Sequence, residues 1–285
     1  MRFLRHFFVA AVLGVLGHQA LAFPPLPHHT VYGVVRDEFG NPLISPGTEL
    51  TLETLAGAVI TTAVVPGLEA GVNYRIEVPV DAGLTADLYR PTAMRPTAPF
   101  RIRVKIAGRT YVPLEMKASL ALLGQPAQSS RVDLTLGEDT DGDGLPDGWE
   151  RSVIAAGNLG LTLEGLKPGD RLNGNSLSVL QAYLAGTYAW DPKDGFRLDI
   201  VEFSAADPVL EFVALRGRSY TISASDDLQT WRPIRFRIQG SASGGPVSFH
   251  QTSQLTRVRA VVTGGDPGSD EASAPAPKFY KLLVK

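Results

Sequence analysis

Between positions 138 and 150 the chain carries six carboxylates and no basic residue: Glu138, Asp139, Asp141, Asp143, Asp147 and Glu150. So many like charges in so few residues repel one another, and the stretch closes up only if something relieves that repulsion. The spacing is ordered. The run DTDGDGLPDGWE (139–150) matches D-x-[DN]-x-[DN]-G-x5-E in full. Asp139, Asp141 and Asp143 take positions one, three and five. Gly144 takes position six, where the chain must turn sharply. Leu145 at position seven would ligate through its carbonyl, Asp147 at position nine directly or through water, and Glu150 at position twelve with two oxygens. A hard cation such as Ca2+ wants six to eight oxygens, and this spacing wraps them around one centre. The bland alternative is a solvated acidic turn capping a helix that starts at Pro146.

Trp149, Val153 and Ile154 follow at helical spacing, with Gly157 as a stop. Two features separate the loop from paired EF-hand sensors. Pro146 has no amide to bond across to a partner loop, and the preceding 131–136 reads as a strand. The run resembles the calcium loops of dockerin modules and thrombospondin type 3 repeats. A second half, NGNSLSVLQAYLAGT (173–187), resembles the segment following such loops in secreted bacterial proteins. Aligned that way, Arg171, Asn173 and Asn175 fall at positions one, three and five, Ser176 replaces the glycine and Ala182 replaces the glutamate. Little or no calcium is expected there. The segment is expected to serve as packing, a short helix with Asn175 or Ser176 as N-cap and Gly186 as stop, setting Leu177, Leu180 and Leu184 against Trp149, Val153 and Ile154.

Elsewhere the pattern is short and alternating. The 29 glycines and 21 prolines favour many turns, hence many short strands. Strand-like runs fall at 31–35, 49–53, 58–65, 74–80, 100–106, 110–116 and 131–136, then at 196–203, 210–215, 219–223, 233–238, 247–250, 257–262 and 279–284. The runs RIRVKI and RTYVPL, split by Ala107 and Gly108, form a hairpin with Ile102, Val104 and Ile106 on one face and Arg101, Arg103 and Lys105 on the other. The fold class expected is mainly β: two β-sandwich-like domains (23–137 and 193–285) joined by a small helical calcium-binding segment (138–192). The stretch TVYGVVRDEFGNPL (30–43) resembles the carboxypeptidase-regulatory, transthyretin-like β-sandwich, which implies an adhesive or spacer domain without peptidase activity. The stretch YTISASDDLQTW (220–231) resembles a signature of exported bacterial proteins that implies no particular function. The segment 263–278, rich in Gly, Pro, Ser and Asp, reads as a long mobile loop.

The first 22 residues have the form of a signal peptide: Arg2 and Arg5, an apolar 7–16, and a small-x-small site ending at Ala22. A secreted, periplasmic or extracellular location follows, with no membrane span in the mature chain. Removing two of the 27 basic residues leaves 25 against 29 acidic, a mature net charge of about −4 and no footprint for nucleic acid. There is no cysteine. Stability must come from buried apolar surface, to which a metal can add. The chain reads as non-enzymatic. It has no His pair at zinc spacing, no G-x-S-x-G and no phosphate loop. His28 and His29 sit at the ragged start of the mature chain, and His250 stands alone on a strand. Arg232, Arg235 and Arg237 read as a solvated strand face. Trp190 and Trp231 read as core or half-buried aromatics, or as a platform for sugar. The leading expectation is a calcium-stabilised structural or adhesion module. The alternatives are an extracellular carbohydrate-binding protein, whose partner is a glycan, or a secreted hydrolase.

Overall fold

The computed structural model describes residues 26–262 and 277–285, apart from positions 56, 58, 118, 175, 192, 195, 205, 206 and 242–244. The signal-peptide stretch 1–22, most of the expected loop 263–278, and Asn175 lie outside the described residues. Among the described residues the chain is mainly β, with several sheets and two α-helices.

The first ten strands are β1 (His29–Gly33), β2 (Val35–Arg36), β3 (Glu49–Thr54), β4 (Val59–Ala63), β5 (Tyr74–Val78), β6 (Pro99–Ile106), β7 (Arg109–Tyr111), β8 (Ala121–Leu122), β9 (Ser129–Arg131) and β10 (Leu134–Thr135). Strand β1 lies between antiparallel β5 and parallel β9, and β2 pairs in parallel with β10. Opposite them, β4, β3, β6 and β7 form an antiparallel series, with β8 also on β6. Alternation decides which side chains meet. Leu50, Leu52, Ile102 and Val104 from one sheet and Val31, Tyr74, Ile76 and Val78 from the other share one buried cluster. The outer face of β3 and β6 carries the cross-strand pairs Arg103–Glu53 (2.8 Å) and Lys105–Glu49 (3.7 Å). Two expectations fail here. The run 110–116 is not one strand: Pro113 has no N–H to give a ladder, β7 ends at Tyr111, and Leu114–Met116 is a 3-10 turn. His29 is not at a ragged end. It is buried in β1, its ring nitrogens held by the Gln125 carbonyl (2.8 Å) and the Ser130 hydroxyl (2.9 Å).

Helices α1 (Asp147–Ala156) and α2 (Val179–Ala185) share a second cluster, built from Leu145, Trp149, Val153, Leu166, Val179, Ala182 and Tyr183. The indole of Trp149 meets the ring of Tyr183 edge-on at 5.0 Å. The inward face of α2 differs from the leucine stripe. Val179, Ala182 and Tyr183 point in, while Leu180 and Leu184 are over a third exposed. The helix starts later than expected because Ser178 makes a reciprocal capping box with Gln181. Gly186 ends it in the left-handed conformation, as the sequence suggests.

The remaining strands are β11 (Asp199–Ser204), β12 (Asp207–Ala214), β13 (Ser219–Ser225), β14 (Arg232–Ile234), β15 (Phe236–Ile238), β16 (His250–Gln251), β17 (Thr256–Val262) and β18 (Phe279–Val284). One sheet runs β11-β12-β17-β15, and β13 pairs with β14, β16 and β18 in another. The run 233–238 is divided between the two sheets at Arg235. A third cluster, including Leu210, Phe212, Tyr220, Ile222, Phe236 and Val258, lies between them.

The turn after β2 is touched by α2 and by the 217–218 stretch before β13. Asp37 organises that turn by accepting from the N–H groups of Phe39 and Asn41. Gly40 adopts a φ of 77°, and a Cβ built there would lie 2.9 Å from Tyr183. The Tyr183 hydroxyl donates to the Asp37 carbonyl at 3.3 Å. From the other side Gly217 approaches the Pro42 carbonyl, where a Cβ would meet it at 3.1 Å. Arg218 is fully buried and donates to the Leu184 and Tyr183 carbonyls at the C-terminal end of α2. Burial pushes its guanidinium down to about 10, so it stays charged at neutral pH.

Candidate metal centre

The acidic run sits between β10 and α1, and its backbone is shaped by glycine. Gly142 and Gly144 have φ of 74° and 92°, in the region where a side chain is strained. These turns aim N–H groups inward. Gly142 (2.8 Å) and Gly144 (3.1 Å) donate to the two oxygens of Asp139, and Leu145 donates to Asp143 Oδ1 at 2.9 Å. The Leu145 side chain, buried in the helical cluster, anchors the far side of the loop. The N–H of Asp147 closes it by donating to the Glu138 carbonyl at 2.8 Å.

Asp139, Asp141 and Asp143 each bring one carboxylate oxygen within 4.8 Å of the others. These three of the expected ligands form the compact group. Beside them, Asp141 Oδ1, Asp143 Oδ2 and both oxygens of Glu150 are buried with no hydrogen-bond partner among the described residues. Such atoms are rare in folded chains, because a buried unpartnered carboxylate oxygen has lost its water and gained nothing in return. Glu150 is fully buried on α1. Burial, then the charges of Asp143, Asp141, Asp147 and Asp139, push its carboxyl up to about 7. Burial likewise raises Asp143, with Asp141 and Asp139 adding to it.

Asp147 has a different part. Its oxygens accept from the Thr140 N–H (2.7 Å), the Thr140 hydroxyl (2.6 Å) and Arg151 (2.8 Å). The Thr140 hydroxyl is the main reason its carboxyl lies below the usual carboxylate range. Position nine thus ties the start of the loop to the first turn of α1. One participant has no signal in the sequence. Lys167, beyond the 3-10 turn Leu163–Gly165, puts its Nζ 3.3 Å from Asp141 Oδ2. No local spacing could reveal it, since Lys167 and Asp141 are brought together only by the return of the chain over the helices.

In the second half, Ala182 is buried in the helical cluster, where position twelve would need a ligand. Asn175 lies outside the described residues. The other singled-out aromatics are half-buried. Trp231 lies under Lys281 Nζ at 4.6 Å and donates its indole N–H to the Leu228 carbonyl at 3.1 Å. Trp190 packs on Tyr188 with ring centroids 4.9 Å apart. The side chains of Arg232, Arg235 and Arg237 are exposed. Among the described residues no helix is long and apolar enough to cross a membrane. Compared with family models, curated proteins and solved structures, the chain gives no match.

Proposed function

We propose that this chain is an exported, non-enzymatic structural or adhesion module in which Ca2+ binds at 139–150 and stiffens the junction between two β-sandwich domains, 23–137 and 193–285. The observation that carries the reading is the set of buried, unpartnered carboxylate oxygens on Asp141, Asp143 and Glu150 beside the Asp139–Asp141–Asp143 group. A divalent cation is the ligand that answers such a set: it neutralises mutual repulsion and replaces lost hydration. The donors are all oxygen, which favours a hard cation over zinc or copper. A loop of carboxylates and a carbonyl suits the larger, more irregular coordination of Ca2+ better than the strict octahedron of Mg2+.

In this reading Asp139, Asp141, Asp143, the Leu145 carbonyl and Glu150 hold the ion, and Asp147 ties the loop to α1. The mechanical consequence follows from connectivity. The loop joins the last strand of the first β unit to α1, and α1 packs on α2, whose end is held by Arg218 of the second β unit. Drawing Glu150 toward the aspartates therefore fixes α1 to the strand before it. Extracellular modules of this class bind with Kd of about 10⁻⁴ to 10⁻³ M. The leader at 1–22 supports an exported location, where such an affinity is useful.

Differential scanning calorimetry in chelator and in millimolar Ca2+ tests this. The melting temperature should rise with Ca2+, much less with Mg2+, and should not respond in Asp141→Ala or Glu150→Ala. A melting curve indifferent to chelation would overturn the proposal.

A further inference from the structure

We propose that a cleft between the end of α2 and the sheet β11-β12-β17 is a binding site for a neutral oligosaccharide. The cleft encloses about 530 Å³, within the range of small-ligand sites. Beneath it lie two nearly fully buried core rings, Phe212 and Tyr220, 5.2 Å apart between centroids, and the half-buried Phe196 stacks on Tyr220 at 6.4 Å. Tyr220 is fixed there, since its hydroxyl accepts from the Leu215 N–H at 2.8 Å. Tyr188 stands at the mouth, 59% exposed, its ring backed by Trp190. A large aromatic ring held rigidly with one face open is costly to leave in water and well suited to stack on a flat, partly apolar ligand.

The rim settles the ligand class. Lys193, Arg197 and Arg257 face the same space as Asp194, Asp199 and Glu211, three charges of each sign. Most are neutralised in place. Arg197 lies 3.6 Å from Asp199, Glu211 takes Arg257 at 3.2 Å and Arg259 at 2.9 Å, and Asp194 accepts the Tyr188 N–H at 2.6 Å. No net charge is left to hold a polyanion or a cation. An acyl chain would strand these polar groups without water. What remains is a dense set of planar donors and acceptors around aromatic faces. A pyranose unit matches both, with hydroxyls around its edge for charge-assisted hydrogen bonds and C–H faces for the rings. None of these residues belongs to the acidic loop, so the inference stands apart from the calcium reading.

The test is isothermal titration calorimetry of the mature chain against uncharged cello-, malto-, xylo- and manno-hexaoses, in Ca2+ and in chelator. At least one should bind with millimolar or better affinity in both conditions. Tyr188→Ala should weaken that binding about tenfold, the loss of one aromatic stack, with only a small fall in melting temperature from the lost contact with Trp190. Glu211→Gln should weaken it too, and its melting curve reports any loss of the Arg257 and Arg259 pairs separately. Absence of heat with every hexaose, undiminished binding in Tyr188→Ala, or preference for a sulfated hexasaccharide over all neutral ones would each overturn the assignment.

Discussion

Glu150 and Ala182 fall at the same position when the second segment is aligned on the acidic run, and both are fully buried. The first presents carboxylate oxygens without partners among the described residues. The second presents a methyl group, packed among Trp149, Val153 and Tyr183. The difference extends to how each helix begins. Before α1 the N–H groups of Gly142, Gly144 and Leu145 are spent on Asp139 and Asp143, and Asp141 Oδ1, Asp143 Oδ2 and both Glu150 oxygens are left buried without a hydrogen-bond partner among the described residues. Before α2 the closure is complete within the chain: Ser178 and Gln181 cap each other, Asp170 accepts the Lys167 N–H at 2.9 Å, and the Asp170 carbonyl accepts from Val179. One loop leaves buried carboxylate oxygens that a cation would satisfy, and the other is packed by its own core.

The largest test of that contrast is Ala182→Glu. A carboxylate forced into the apolar cluster without the surrounding aspartates should cost about 3 kcal/mol or more. Added Ca2+ should not restore the loss in thermal melts. Restoration would mean that the second loop is still a cation site. Next in size is Glu150→Gln. At 5 mM Ca2+ and a Kd near 10⁻⁴ M the wild-type chain gains about 2 kcal/mol by mass action. The variant should lose that gain yet melt higher than wild type in chelator, because one repelling charge is gone. Opposite signs in the two buffers are what a packing defect would not produce.

A pH titration in chelator is smaller and cleaner. Glu150 is held near 7 in the folded chain against an ordinary value of 4.5. Between those values the folded state binds the extra proton, so stability should increase as the pH falls from 8 to 6, by about 1 kcal/mol. Urea melts read this directly. In saturating Ca2+ the slope should flatten, since the bound ion keeps Glu150 ionised in the folded chain as it already is in the unfolded one. The smallest effect is expected of Lys167→Ala. Its ammonium lies beside Asp141 and opposes an incoming cation. Its removal should tighten Ca2+ binding about fivefold, roughly 1 kcal/mol. Unchanged affinity by calorimetry would make Lys167 a spectator.

The strands were legible where alternation was strict. The pattern of β3 and β6 placed Leu50, Leu52, Ile102 and Val104 inside without further information. The reading went astray where a local device outranked periodicity. Pro113 cut one strand short, and α2 starts later than expected, at the Ser178 cap, with Val179, Ala182 and Tyr183 buried rather than Leu180 and Leu184. His29 looked terminal because nothing nearby in sequence announces Gln125 and Ser130 as its partners. At the acidic loop the spacing anticipated the proximity of Asp139, Asp141 and Asp143. It did not anticipate that Thr140 and Arg151 would take the Asp147 oxygens. Lys167 and Arg218 act across tertiary contacts, which no short motif encodes.

The bare glycine at position 40 has a consequence for dissection of the molecule. Tyr183 rests where a side chain would otherwise stand, so the turn and the aromatic ring form a matched plug and socket on separate stretches of chain. Two fragments divided at residue 137 should therefore recognise each other when mixed and reassemble without the covalent link. A single methyl group, Gly40→Ala, should be enough to keep them apart.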